Sequence, residues 1–275
     1  MTLTKQIMLG DNLKELAKLP DKISTMIYID PPFNSGKQMK RDRIKTVAVN
    51  SGEEGDRIGF GGKQYNTTKI SSSSYNDSFD DYQNFLMSRI EASIHCLTDN
   101  GSLFVHLDYR EVHYIKVALD ALLGRDHFMN EIIWSYDFGA RSKKKWPAKH
   151  DNILWYVMDP KKYIFNYDAM DRLPYMAPGL VGKEKAARGK TPTSVWWQTI
   201  VPTNGKERTG YSTQKPIQIL ERLVKIHSNE NDTILDFFCG SGTTGAAAIK
   251  HNRGYILIDE SQEAINITTK RLANL

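Results

Sequence analysis

The sequence predicts an α/β fold built on a mostly parallel sheet with helices on both faces. Three observations predict it. β-forming runs stop at turn residues, helical stretches lie between them, and a strand, a glycine turn and a helix follow one another near the C-terminal end. The 275 residues suffice for one large domain of this kind, or one domain carrying an insertion.

The elements follow in order. Ile23–Ile29 is rich in β-formers and stops at Asp30-Pro31-Pro32, where two prolines end any ladder. Asp81–Leu97 carries Leu86, Ile90, Ile94 and Leu97 on one helical face. Ser102–Leu107 is a strand, and Arg110–Leu123 a helix closed by Gly124. Thr233–Phe238 is a strand that breaks at Gly240. Thr243–His251 is a helix of small residues, and Gly254–Ile258 a strand ending at Asp259. Two stretches break the rhythm. Residues 34–78 are polar and rich in Gly, Ser and Lys, and read as a mobile loop or flap that begins directly after the Asp-Pro-Pro turn. Residues 137–210 mix basic residues with Trp146, Trp155, Trp196 and Trp197, and read as an inserted recognition region. Residues 1–136 and 211–275 are left as the catalytic and cofactor-binding domain.

Composition narrows the class. Hydrophobic residues at 40% and charged residues at 25% are ordinary for a folded soluble chain. No apolar run is long enough to span a bilayer, and Met1–Asp11 lacks the pattern of a signal peptide, so a cytoplasmic protein with no membrane partner is expected. Cys96 and Cys239 are far apart in apolar settings, which suits a reduced compartment and offers no disulfide. No histidine pair has ligand spacing with acids or cysteines, and no metal is expected. The net charge of +5 is mild. Its placement says more: Lys37, Lys40, Arg41, Arg43 and Lys45 form one basic stretch, and Arg141, Lys143, Lys144, Lys145 and Lys149 surround Trp146 in another. Either can grip nucleic-acid phosphates or be a solvated loop.

The glycine turn is Asp236-Phe237-Phe238-Cys239-Gly240-Ser241-Gly242-Thr243-Thr244-Gly245. Its glycines let a ligand approach the backbone at a helix N-terminus. Gly240, Gly242 and Gly245 satisfy the dinucleotide pattern, with Asp259 placed to bind ribose hydroxyls, so an NAD-dependent oxidoreductase is a legitimate rival. No Gly-Lys-Ser/Thr follows, which excludes a Walker loop. Asp236 tips the balance. A carboxylate beside the turn suits the ammonium and sulfonium of S-adenosylmethionine better than an anionic pyrophosphate.

Asp30-Pro31-Pro32-Phe33 supplies a chemistry for that cofactor. The amino nitrogen of adenine or cytosine shares its lone pair with the ring and is a poor nucleophile. Two acceptors on its protons, the Asp30 carboxylate and the Pro31 carbonyl, can pull it toward tetrahedral geometry. Pro-Pro keeps both acceptors stiff, and Phe33 offers a face for the base. Cytosine C5 methylation needs a cysteine nucleophile, usually presented after a proline. Here Cys96 follows His95 and Cys239 follows Phe238. A base inside a duplex would have to be swung out, at a cost of about a few kcal/mol.

These motifs resemble the amino-methylating DNA methyltransferases of bacterial restriction–modification systems. Asp30 to Phe33 corresponds to the catalytic turn and Phe238 to Gly242 to the cofactor loop, and the order of the two resembles the β group. The resemblance implies a Rossmann-like methyltransferase sheet, S-adenosyl-L-methionine as cofactor and double-stranded DNA as partner. It further implies that Lys215 in Thr213-Gln214-Lys215-Pro216 contacts the cofactor's carboxylate and that Asp11 in Gly10-Asp11-Asn12 lines the adenine pocket. Asp259 and Glu260 would hold the ribose, and Asp236, Phe238, Cys239, Gly240, Gly242 and Thr243 would form the loop around the cofactor. A companion restriction endonuclease and a homodimer are partners that the family suggests. N6 of adenine is the expected target, since cytosine-N4 enzymes more often begin the turn with Ser. Phe33, in place of the commoner Tyr, keeps an RNA amino-methyltransferase as an alternative; motif order and the central insertion favour DNA.

Overall fold

Strand β1 (Lys5–Leu9) leads into the short helix α1 (Asn12–Leu16), capped by Asp11, whose side chain accepts the Lys14 N–H. In β2 (Ser24–Ile29), Met26 to Ile29 are all buried, the signature of a strand covered on both faces. The computed structural model describes residues 3–49, 56–58, 64–139 and 141–275. Contacts divide the chain into two units, Met1–Phe33 with Asp81–Leu275, and Asn34–Asp80.

The smaller unit is a three-stranded antiparallel sheet of β3 (Lys37–Ala48), β4 (Arg57–Ile58) and β5 (Gln64–Asp77), in the order β3-β5-β4. Asp77 closes its base: Oδ1 accepts the Asn34 N–H at 2.8 Å, Oδ2 accepts the Ser35 N–H at 3.0 Å, and its carbonyl accepts the Gly36 N–H at 2.9 Å. The stretch expected to be a mobile loop is thus largely a β-ribbon. Backbone ladders between polar strands leave no apolar periodicity to read. Residues 50–55 and 59–63 of that expected loop lie outside the described residues.

The larger unit continues with α2 (Tyr82–Ser93), β6 (Leu97–Leu107), α3 (Val112–Leu123), β7 (Phe128–Ser135) and β8 (His150–Val157). It goes on through α4 (Lys183–Arg188), β9 (Val195–Trp197), α5 (Ile217–His227), β10 (Thr233–Asp236), α6 (Thr243–Lys250), β11 (Gly254–Asp259) and α7 (Gln262–Leu272). One sheet runs β1-β11-β10-β2-β6-β8-β7-β9, and every strand but β8 points the same way. The expected mostly parallel sheet is the one found. Met26, Tyr28, Phe104, Ile153 and Trp134 share a core with Ile219, Leu220 and Leu223 of α5 and the alanines of α6. Ile27, Ile29, Leu103 and Val105 alternate to the other face, and α2 and α3 bury Leu86, Ile90, Ile115 and Leu119. Each such side chain contributes about 1.5–3 kcal/mol on leaving water. Among the described residues no helix is long and apolar enough to cross a membrane.

Three boundaries shift for local reasons. The helix expected over 81–97 ends at Ser93 and tightens into a 3-10 turn at Ile94–Cys96, after which β6 begins five residues ahead of Ser102, at Leu97. α3 starts at Val112 and ends at Gly124, whose φ of +96° suits glycine. β10 stops at Asp236 because its Oδ1 accepts the Phe238 N–H and bends the chain out of the ladder. The region expected as an insertion at 137–210 is not a separate unit. Its apolar run His150–Val157 is the antiparallel strand β8, buried between β6 and β7, and Val195–Trp197 pairs with β7.

Candidate active site

Parallel order sets the carboxyl ends of β1, β11, β10 and β2 side by side, at the edge where open α/β sheets bind ligands. Asp11, Glu260, Asp236 and Asp30 leave from these four neighbouring ends. Residues far apart in sequence are brought together by the sheet alone.

The glycine loop is braced from within. Gly240 and Gly242 have φ of +50° and +70°, and a Cβ on Gly242 would lie 2.7 Å from the Thr268 methyl carbon. Asp236 is buried, with Oδ1 on the Phe238 N–H at 3.0 Å and Oδ2 on the Thr244 hydroxyl at 2.5 Å. Burial pushes its carboxyl up to about 7, and the charges of Asp30 and Asp259 act in the same direction. Asp259 accepts the Gly240 N–H at 2.8 Å and the Ser261 N–H at 2.9 Å, and burial raises its carboxyl as well. Asp236 therefore holds the loop with both oxygens and Asp259 with one, whereas Glu260 stands exposed beside them. The Cys239 side chain is buried in the core, so that residue presents its backbone. Arg271 of α7 donates to the Ser241 carbonyl at 3.2 Å and to Oγ1 of Thr243 at 2.8 Å.

At the β1 end, Arg89 of α2 donates to Oδ1 of Asn12 at 2.6 Å and lies 3.4 Å from Oδ2 of Asp11. Its guanidinium covers the Phe85 ring at 4.0 Å, and Phe85 in turn faces Phe238 at 6.2 Å between centroids. Sequence reasoning named Asp11 and Phe238 as candidates and did not name Phe85 and Arg89, which the structure places against them. They sit four apart on one helix, a spacing that signals a shared face and nothing more specific.

The Asp-Pro-Pro-Phe turn ends β2. Nζ of Lys215, just ahead of α5, lies 2.5 Å from Oδ2 of Asp30 and 4.9 Å from the centre of the Phe33 ring. Oδ1 of Asp30 is buried and has no hydrogen-bond partner among the described residues. The Pro32 carbonyl accepts the Tyr82 hydroxyl at 2.5 Å. Lys215, which the resemblance assigns to the cofactor, thus meets the catalytic turn in this structure.

The basic cluster lies in the β7–β8 connection, which leaves the sheet at the same edge. Arg141 pairs with Asp137 at 2.6 Å, and Lys149 donates to the Phe138 carbonyl. Lys143, Lys144 and Lys145 are exposed, and Trp146 is 95% exposed.

A sheet with glycine-loop, acidic and Asp-Pro-Pro-Phe ends on adjacent strands defines a Rossmann-like S-adenosylmethionine-dependent methyltransferase. The DNA methylase family model, N6_N4_Mtase, matches residues 24–270, and the chain belongs to that family. It is 29% identical over 268 residues to the type II methyltransferase M.HpaI of Haemophilus parainfluenzae, covering 98% of this chain and 74% of that protein. It is also 29% identical to the DNA adenine methyltransferase YhdJ of Escherichia coli (strain K12), over 98% of this chain and 82% of YhdJ. The crystal structure of the M1.HpyAVI–SAM complex superposes with a TM-score of 0.61 at 21% identity, over 99% of this chain and all (100%) of that one. The protein is an S-adenosylmethionine-dependent DNA amino-methyltransferase of restriction–modification type.

Proposed function

We propose that the protein methylates N6 of adenine in double-stranded DNA. The observation that carries this reading is Oδ1 of Asp30, a buried acceptor left without a partner beside an oxygen that Lys215 already holds. An aromatic amine offers the donor such an acceptor lacks. Asp30 accepts a hydrogen bond from one amino N–H and the Pro31 carbonyl from the other, so the nitrogen lone pair is released from the ring toward the methyl donor. The new N–CH3 bond forms as the sulfonium–CH3 bond breaks to the thioether, and the methylated nitrogen then sheds one proton. Tyr82, on the Pro32 carbonyl, and the two proline rings hold that geometry fixed in advance. Phe33 supplies the face on which the extruded base lies. Bound S-adenosylmethionine supplies an activated methyl group.

The cofactor cleft suits that ligand. Two positive-φ glycines leave backbone open to close approach. Exposed Glu260 is placed for the ribose hydroxyls, while Asp11, Arg89, Phe85 and Phe238 line the adenine side. Asp236 and Asp259 act through the loop they brace, and Lys215 serves the cofactor carboxylate as well as Asp30. Arg141, Lys143, Lys144, Lys145 and Lys149 grip phosphates, and residues 137–210 carry target recognition. A companion restriction endonuclease, a homodimer and a cytoplasmic location complete the proposed reading and rest on the family resemblance alone.

Adenine is preferred to cytosine N4 because the turn begins with Asp30 and because the similarity to a DNA adenine methyltransferase spans 98% of the chain. Purified protein incubated with labelled S-adenosylmethionine and unmethylated duplex DNA, followed by nucleoside mass spectrometry, tests the reading. N6-methyladenine is expected; N4-methylcytosine alone would overturn the choice of base.

A further inference from the structure

Beneath the Asp-Pro-Pro-Phe turn runs a buried polar chain that joins β2, β6 and β8 to Tyr136, the residue after β7. The Tyr28 hydroxyl lies 2.7 Å from Nδ1 of His106, and Nε2 of His106 lies 3.2 Å from Oδ2 of Asp151. The Tyr136 hydroxyl donates to Oδ1 of Asp151 at 3.0 Å. Tyr28, His106 and Asp151 are all buried. Burial alone would raise the Asp151 carboxyl. The hydrogen bonds from His106 and Tyr136, with the charge of Lys215, outweigh it and hold that group below its ordinary range. Asp151 is thus an acceptor at both oxygens. Nε2 of His106 must donate, and Nδ1 is left to take the Tyr28 hydroxyl.

The same imidazole packs behind Phe33. Its ring lies 6.0 Å from Phe33 and, edge-on, 5.6 Å from Trp134, which packs 5.0 Å from Tyr136. One buried ring therefore fixes three things together: the β2 end two residues before Asp30, the Phe33 face, and the aromatic end of β7. A structural core would satisfy this spot with aliphatic side chains at lower cost, since buried polar chains stabilise only when every member is matched. Here every member is matched, and the chain ends at a partly buried tyrosine hydroxyl.

We propose that His106 and Asp151 are positioning residues for methyl transfer, holding Phe33 and Tyr136 as the walls of the pocket that receives the target base. The inference rests on the assignment of Asp30 and Phe33 to that pocket. It adds that transfer rate depends on the hidden chain, and not only on residues that touch the base.

The test uses the full-length protein, duplex DNA and single-turnover kinetics on Tyr136→Phe, Asp151→Asn, His106→Gln and His106→Leu, with thermal unfolding and calorimetric cofactor affinity measured in parallel. Tyr136→Phe and Asp151→Asn are near-isosteric and should fold. Each should slow transfer by about 10- to 100-fold through misplacement of the base, with cofactor affinity unchanged and a melting temperature that falls a little, for the one partner left unmatched, but stays well above the assay temperature. His106→Gln keeps an N–H for Asp151 and should transfer faster than His106→Leu. Wild-type rates in Tyr136→Phe and Asp151→Asn would overturn the proposal, as would losses that track melting temperature or cofactor affinity. An Asp30→Ala control separates the two levels: full activity in that variant would overturn the site assignment, and the positioning role with it.

Discussion

The ammonium of Lys215 lies 2.5 Å from Oδ2 of Asp30, joining the start of α5 to the end of β2 across 185 residues of sequence. Both side chains are largely withdrawn from water, at 11% and 17% exposure. In the proposed reading, the pair decides which carboxylate oxygen faces the substrate. With Oδ2 engaged, Oδ1 is the acceptor presented.

Removing one member of such a pair leaves the other charge unmatched, at a cost of about 3–5 kcal/mol when fully buried and less here. Lys215→Met is therefore expected to lower the single-turnover rate by about 100-fold and to weaken cofactor affinity as well. Asp30→Ala should abolish transfer while cofactor binding survives in part. Rapid-quench kinetics beside calorimetry separates the two effects. A Lys215→Met enzyme with wild-type rate would remove Lys215 from the site.

Gly242→Ala should destabilise the protein by roughly 1–2 kcal/mol from its left-handed backbone alone, and by more because the new methyl meets Thr268. Thermal unfolding reads the loss, and calorimetry should show weaker cofactor binding in the same variant. Unchanged values in both would mean that the loop relaxes around a side chain.

Stability should fall as pH rises from about 4 to about 7. The Asp236 carboxyl is pushed up to about 7 by burial, so in this window the native state holds a proton that the unfolded chain has released. The folded state is favoured while that proton stays bound, and the advantage is lost as pH passes the folded value. Asp236→Asn keeps both hydrogen bonds without the charge. It should melt with the wild type near pH 5 and above it beyond pH 7. A constant difference in melting temperature across that range would exclude the shift.

Replacing Lys143, Lys144 and Lys145 with alanine should flatten the dependence of log K on log salt by about 0.9 for each phosphate that a lysine no longer neutralises. Filter binding to duplex DNA over a salt series measures the slope. An unchanged slope would return these lysines to the role of a solvated loop.

Much of the site was legible because its chemistry is local. Asp30-Pro31-Pro32-Phe33 and the loop from Asp236 to Thr243 are runs of adjacent residues whose types dictate a turn, and each follows a strand the pattern reveals. The acids were legible as residues and not as roles. Asp236 and Asp259 look alike to Glu260 in sequence, yet two of them accept backbone N–H groups and one faces solvent. Tyr28, His106, Asp151 and Tyr136 gave no signal, since each lies in or just after an ordinary β-forming run and their link exists only between segments far apart in sequence. The ribbon of β3, β4 and β5 escaped for the opposite reason, its pairing being backbone to backbone between polar strands.

The sequence by itself determined the α/β class, the two chemical turns and the strand ends that carry them, because dihedral preferences and hydrophobic periodicity act between near neighbours. Only the tertiary structure decided strand order, and with it the meeting of Lys215 with Asp30, the insertion of β8 among parallel strands and the polar chain beneath Phe33. Those depend on which distant segments share a sheet edge, and side-chain burial and matched hydrogen bonds settle that choice only once the whole core has closed.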